Sequence, residues 1–119
     1  MVKHIAFTMY PVVDMARARK FYEGALGLPF TKEFGGGKWV EYHLDNGAFV
    51  ITTMAKGVTP AAKAGGSVAF EVDGLDDLVP KLVAAGATLK VGPFDTPVCR
   101  MAYLLDSEGN AFCVHSKKG

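Results

Sequence analysis

Tyr42-His-Leu-Asp-Asn-Gly-Ala-Phe-Val-Ile51 and Tyr103-Leu-Leu-Asp-Ser-Glu-Gly-Asn-Ala-Phe-Cys-Val114 are two versions of one phrase. Each runs an aromatic-apolar segment into an Asp, then a Gly-containing turn, then a second apolar segment opening Ala-Phe. That is the pattern of a β-hairpin. Upstream the match continues, with His4-Ile-Ala-Phe7 against Ser67-Val-Ala-Phe70 and one helical stretch after each. A self-similarity of about 62 residues present twice is a fused duplicate rather than a solenoid. Any site is expected where the two copies meet.

Working outward, Lys3 to Tyr10 alternates as a strand, with Ile5, Phe7 and Met9 on one side and His4, Ala6 and Thr8 on the other. Pro11 ends it. Asp14 is placed to cap a helix whose apolar face is Met15, Ala18, Tyr22, Ala25 and Leu26, stopped by Gly27. Strands are predicted at 29–34, 38–45 and 48–54, with Gly35-Gly-Gly37 as a turn. Gly37-Lys38 lacks the Walker spacing and carries no phosphate loop. Residues 55–65 show no apolar periodicity and read as a linker, giving module one at 1–54 and module two at 66–119.

Module two repeats the order, with strands at 67–73, 88–91, 99–105 and 110–116. Leu75, Leu78, Val79, Leu82 and Val83 fit a helix. Pro80 falls inside that pattern, so the helix either starts near Asp76 or Asp77 or kinks. The fold class is α+β, with two βαβββ modules forming a curved mixed sheet, a half-barrel around a cavity. Val68, Phe70 and Val72 are assigned to the helix side and Ser67, Ala69 and Glu71 to the cavity. The same parity turns His4, Ala6 and Thr8 inward.

At 119 residues the chain can bury roughly two-thirds of its unfolded surface as one domain. Half the residues are hydrophobic and the net charge is +1, which excludes a disordered chain and a concentrated nucleic-acid footprint. Arg17, Arg19 and Lys20 read as a solvated helix face. No apolar run reaches the ~18 residues of a membrane span. With no room for a signal peptide before the first strand, a cytoplasmic location is expected. Cys99 and Cys113 fall too far apart along a hairpin to bridge, so two reduced thiols are expected.

The stretch Asp14-Met-Ala-Arg-Ala-Arg-Lys-Phe-Tyr-Glu-Gly-Ala-Leu-Gly-Leu28, the doubled βαβββ order and Asp106-Ser-Glu-Gly-Asn110 resemble the vicinal oxygen chelate superfamily. That group includes glyoxalase I, extradiol dioxygenases and the bleomycin-resistance proteins. The resemblance implies a homodimer and, in its enzymes, a divalent metal (Zn, Ni, Mn or Fe) held by His and Glu. Carried over position by position, the opening-strand ligand sites fall on His4 and Ser67 and the last-strand sites on Val50 and Cys113. An ungapped alignment from the helix phrase would put Phe7 at the first site. His4 is preferred because that alignment turns it and Thr8 toward the helices.

Only His4 is a usual ligand, so the resemblance keeps the fold signature while the metal signature is mostly erased. His4, Cys113 and His115 could converge on a zinc site, against a packed cysteine and a solvated histidine. Tyr103 stands where the dioxygenases it resembles place a site tyrosine, with Tyr42 as its counterpart; both could equally be core. His43 reads as surface, and Trp39 and Glu41, turned away from Tyr42, as a dimer contact. The ligand-binding set is thus His4, Tyr42, Val50, Ser67, Tyr103, Cys113 and His115. A metal-free small-molecule binding protein accounts for the missing ligands. The competing readings are a lyase, isomerase or dioxygenase of the glyoxalase type with non-standard ligands, and a subunit with a vestigial cavity.

Overall fold

The computed structural model describes residues 1, 5–55, 58–63 and 67–118. The chain divides into two compact units, Met1–Pro60 and Ala61–Gly119. In the first, β1 (Thr8–Pro11) leads into α1 (Met15–Arg19), a π-helical turn over Lys20–Ala25, β2 (Phe30–Phe34), β3 (Trp39–Leu44) and β4 (Gly47–Thr52). The second runs β5 (Val68–Glu71), α2 (Leu75–Ala84), β6 (Thr88–Asp95), β7 (Cys99–Leu105) and β8 (Ala111–Lys117). Each unit is the expected βαβββ with a mixed four-stranded sheet, ordered β1-β4-β3-β2 and β5-β8-β7-β6. The opening strand of each pairs in parallel with the last, and the other pairings are antiparallel.

Asp14 does cap α1, accepting the Arg17 amide at 3.0 Å. Gly27, at φ +78°, ends the helical stretch in a conformation that only glycine adopts easily. The helix buries Ala18, Phe21 and Tyr22 against the sheet. Phe49 is the hub of that core, with ring centroids of Tyr22 at 5.1 Å, Tyr10 at 5.2 Å and Tyr42 at 6.4 Å. The widening to a π-helical turn places Phe21 in the core beside Tyr22, which a strict 3.6-residue period does not anticipate. Arg19, read as solvated, instead reaches Glu23 (2.6 Å) and Glu33 (3.3 Å) and lies 4.5 Å from the centroid of the Phe30 ring.

In the second unit α2 begins at Leu75, ahead of the expected late start, and retains Pro80 inside it. Leu75, Val79 and Leu82 are buried. The sheet contributes Phe70, Ala102, Leu104, Phe112 and Val114 to this core. Cys99 and Cys113 are buried free thiols, as expected.

Two registers depart from the sequence reading. The first strand begins five residues late, at Thr8 rather than Lys3. Thr8 pairs with Phe49, and its counterpart Val68 pairs with Phe112, so Phe7 and not His4 matches Ser67. The parity inverts with it: Tyr10 and Val12 are buried on the helix side, while Ile5, Phe7 and Met9 are exposed. Pro11 is the last residue of β1 rather than its stop, because the final position of an edge strand need not donate an amide.

The second departure comes from turn length. The first hairpin closes with Leu44 opposite Gly47, a two-residue turn, and the second with Leu105 opposite Ala111, a five-residue one. Matching Ala48 to Ala111 therefore puts Tyr42 in line with Leu104, and Glu41 in line with Tyr103. A slip of one residue moves every side chain to the other face.

Candidate functional site

Because strand side chains alternate, β3 presents Val40 and Tyr42 to the helix and Trp39, Glu41 and His43 to the opposite, open face. Tyr42 is 0% exposed. Its hydroxyl donates to Glu23 Oε2 at 2.8 Å, so it secures the helix to the sheet and does not face a ligand. Burial, reinforced by the Glu23 carboxylate, holds the Tyr42 hydroxyl protonated far above the ordinary tyrosine range.

On the open face Glu41 is fixed from both sides. Its Oε1 meets His43 Nε2 at 2.8 Å and its Oε2 accepts the Trp39 indole N–H at 2.8 Å. Those two hydrogen bonds, His43 first, hold the carboxyl below its usual range and so keep it ionised. Trp39 in turn meets Phe7 edge-on, ring centroids 5.5 Å apart. Beside them lies an open hollow of about 770 Å³, lined by Ile5, Phe7, Glu41, His43, Leu44 and Asp45 among others. Its size is that of a small-molecule site. Val50 lies in register between Met9 and Glu41 and is fully buried.

The open face of the second unit carries Ala69, Glu71, Tyr103, Cys113 and His115, since Ala69 and Tyr103 both oppose Cys113 and Glu71 opposes His115. Glu71 Oε1 lies 2.5 Å from His115 Nδ1, and Glu71 Oε2 accepts the Lys117 amide at 2.9 Å. The amide first, and then the imidazole, hold the Glu71 carboxyl below its usual range. Tyr103 is 42% exposed, with the Phe94 ring 5.5 Å away. Burial pushes the Cys113 thiol up, away from the thiolate that a metal or an electrophile requires.

Of the candidates read from sequence, the structure thus gathers Tyr103, Cys113 and His115 on one face, with Ser67 exposed just before β5. It removes Tyr42 to the helix side, and with it the pairing of Tyr42 with Tyr103. His4 lies outside the described residues. Glu41, Trp39 and His43 were read as dimer contact and surface. Their spacing at i, i+2 and i+4 along one strand is the signal that places them on a single face.

The whole chain aligns with known proteins. Residues 2–114 match the model of the Glyoxalase/Bleomycin resistance protein/Dioxygenase superfamily. The anthracycline biosynthesis protein DauV of Streptomyces sp. (strain C5) is 34% identical over 102 residues, 85% of this chain and 37% of that protein. DnrV of Streptomyces peucetius is 36% identical over 98 residues, 82% of this chain and 35% of that protein. The chain therefore spans little more than a third of these relatives' length.

Among solved structures, a glyoxalase/bleomycin resistance protein from Albidiferax ferrireducens T118 superposes with a TM-score of 0.78 at 25% identity, over 96% of this chain and 98% of that one. TnmS3, an antibiotic binding protein from Streptomyces sp. CB03234, gives 0.77 at 21% identity and 98% of both chains, a likeness of fold. The chain belongs to the glyoxalase/bleomycin resistance protein/dioxygenase superfamily.

The register decides how the residues meet that family's metal. The opening-strand positions hold Phe7 and Ser67 and the last-strand positions Val50 and Cys113. A phenyl ring and an isopropyl group offer no donor and a serine hydroxyl is a weak one, which leaves the buried Cys113 thiol as the single usual donor among these four positions. Among the described residues no three His, Cys, Asp or Glu side chains come together to hold an ion. This donor set does not fit a divalent cation.

Proposed function

We propose that the chain binds a flat, largely apolar organic molecule in the hollow on the open face of β3, with no metal taking part. The observation that carries this reading is an exposed phenyl ring, Phe7, at an opening-strand ligand position, lining the hollow beside an anchored carboxylate and edge-on to Trp39. The change that removes a Lewis-acid site adds apolar contact area, and a hollow with a few placed polar groups is what recognition of such a molecule requires. The antibiotic-related names of its relatives support an aromatic natural product as the ligand class.

The proposal includes a homodimer, as the resemblance implied, and a cytoplasmic location; light scattering on the purified chain tests the dimer. A metal-free lyase or isomerase is the second reading. It rests on the Glu71–His115 pair, which orients an imidazole on the face that carries Tyr103.

Calorimetric titration with a tricyclic or tetracyclic quinone tests the binding. A saturable isotherm that weakens about tenfold in Phe7→Ala is expected, the loss of roughly 1.4 kcal/mol of apolar contact. An isotherm indifferent to Phe7 would move the site elsewhere.

A further inference from the structure

We infer that Glu41 selects ligands presenting a hydrogen-bond donor, a phenolic hydroxyl or an ammonium, and rejects aromatic carboxylates. This rests on the binding site proposed above and adds its chemical class. The two short contacts to Glu41, from Trp39 and His43, use one acceptor site on each oxygen. A carboxylate offers about four, so lone pairs on both oxygens stay open to a guest. Among the described residues, the lining includes Glu41 and Asp45 and neither Lys nor Arg. Lys32 pairs with Glu41 in register, but its ammonium is 5.5 Å from the Phe34 ring centroid and it does not line the hollow.

Among the described residues an anionic guest would thus meet two carboxylates, with His43 already engaged by Glu41 and Lys32 acting on it only from a distance, whereas a donor gains a charge-assisted hydrogen bond. The indole that fixes Glu41 is also one of the two rings of the aromatic pair. A guest stacked on Phe7, which lines the hollow and meets the Trp39 indole edge-on, therefore brings its edge within reach of the carboxylate that Trp39 fixes. In the second unit this register position is held by Tyr103, so the selectivity belongs to one hollow and is not repeated.

Trp39 is the chain's single tryptophan, which makes its fluorescence a direct reporter. Four probes of one ring system would be titrated into wild type and Glu41→Gln: unsubstituted anthraquinone and its hydroxy, aminomethyl and carboxylate derivatives. The expected result is hydroxy and aminomethyl probes binding at least tenfold tighter than the carboxylate. Glu41→Gln should narrow that gap to about threefold or less. All four binding wild type equally would overturn the selectivity and leave the binding site standing. No quenching by any probe would overturn both. A gap that persists in Glu41→Gln would also overturn the assignment, since the discrimination would then come from another group. Should Glu41→Gln melt early, Asp45→Asn and His43→Phe decide. The gap must survive both changes, and a gap lost in either would overturn the assignment to Glu41.

Discussion

Removing one oxygen from the core of the first unit should have a measurable and pH-dependent effect. Tyr42→Phe deletes the hydroxyl that donates to Glu23 at 2.8 Å and leaves the ring's contacts with Phe49 intact. A hydrogen bond to a charged acceptor contributes about 1.5–3 kcal/mol. Glu23 is partly solvated and keeps Arg19 at 2.6 Å, so the lower part of that range applies, about 1.5 kcal/mol.

For a chain of this size that is a fall in Tm of about 5 °C. Burial pushes the Glu23 carboxyl up, but the hydrogen bonds from Arg19 and Tyr42 outweigh it and hold the group below its ordinary 4.5. A depressed carboxyl stabilises the fold above its unfolded value, and that contribution disappears as pH falls through the folded value. Tyr42→Phe returns the carboxyl part-way, so the gap between variant and wild type should be full at pH 7 and shrink below about pH 4. Urea melts at pH 7, 5 and 3.5 measure it. A variant as stable as wild type at pH 7, or a gap that widens in acid, would refute the reasoning.

Leu82→Ala empties a fully buried position of α2 and should lower stability by about 2–4 kcal/mol in a denaturant melt. Gly92→Ala forces a side chain into φ +95°, with Phe94 Cδ1 at 2.9 Å and the Met101 carbonyl at 3.0 Å; a loss of about 2 kcal/mol is expected by thermal denaturation. Asp106→Ala removes the acceptor for the Glu108 and Asn110 amides at 2.8 and 2.9 Å. It should cost about 1–2 kcal/mol and loosen Ala61, whose amide donates to Asn110, seen as faster amide exchange there. Both cysteines are buried, so a thiol reagent should label neither within minutes in the folded protein and both in denaturant.

The repeated phrase made the doubled βαβββ order legible, because hairpins announce themselves through alternation and turn residues. Strand boundaries fell within a residue or two at most glycines and prolines, but β6, expected at 88–91, runs through Gly92-Pro93 to Asp95. The faces were harder to read. Asp45-Asn-Gly47 and Asp106-Ser-Glu-Gly-Asn110 look alike but close with two and five residues, and aligning them on the aspartate assigned Tyr42 to the wrong side. The first strand failed for a related reason. Ile5-Ala-Phe7 alternates as well as Thr8-Met-Tyr10 does, and alternation cannot say which stretch pairs with Phe49. Trp39 and Glu41 were read as a dimer contact and His43 as surface, and nothing in the sequence joins one carboxylate to both neighbours. That link is a matter of side-chain reach, and it converts three surface residues into a candidate site.

The central claim is binding without a metal, and one titration tests it most directly. Protein stripped with chelator would be titrated with hydroxyanthraquinone while Trp39 emission is followed, then again with Zn, Ni, Mn or Fe(II) added in turn. Saturable quenching of the same amplitude and affinity is expected with and without each ion. Quenching that requires an added ion, or tightens tenfold or more with one, would contradict it.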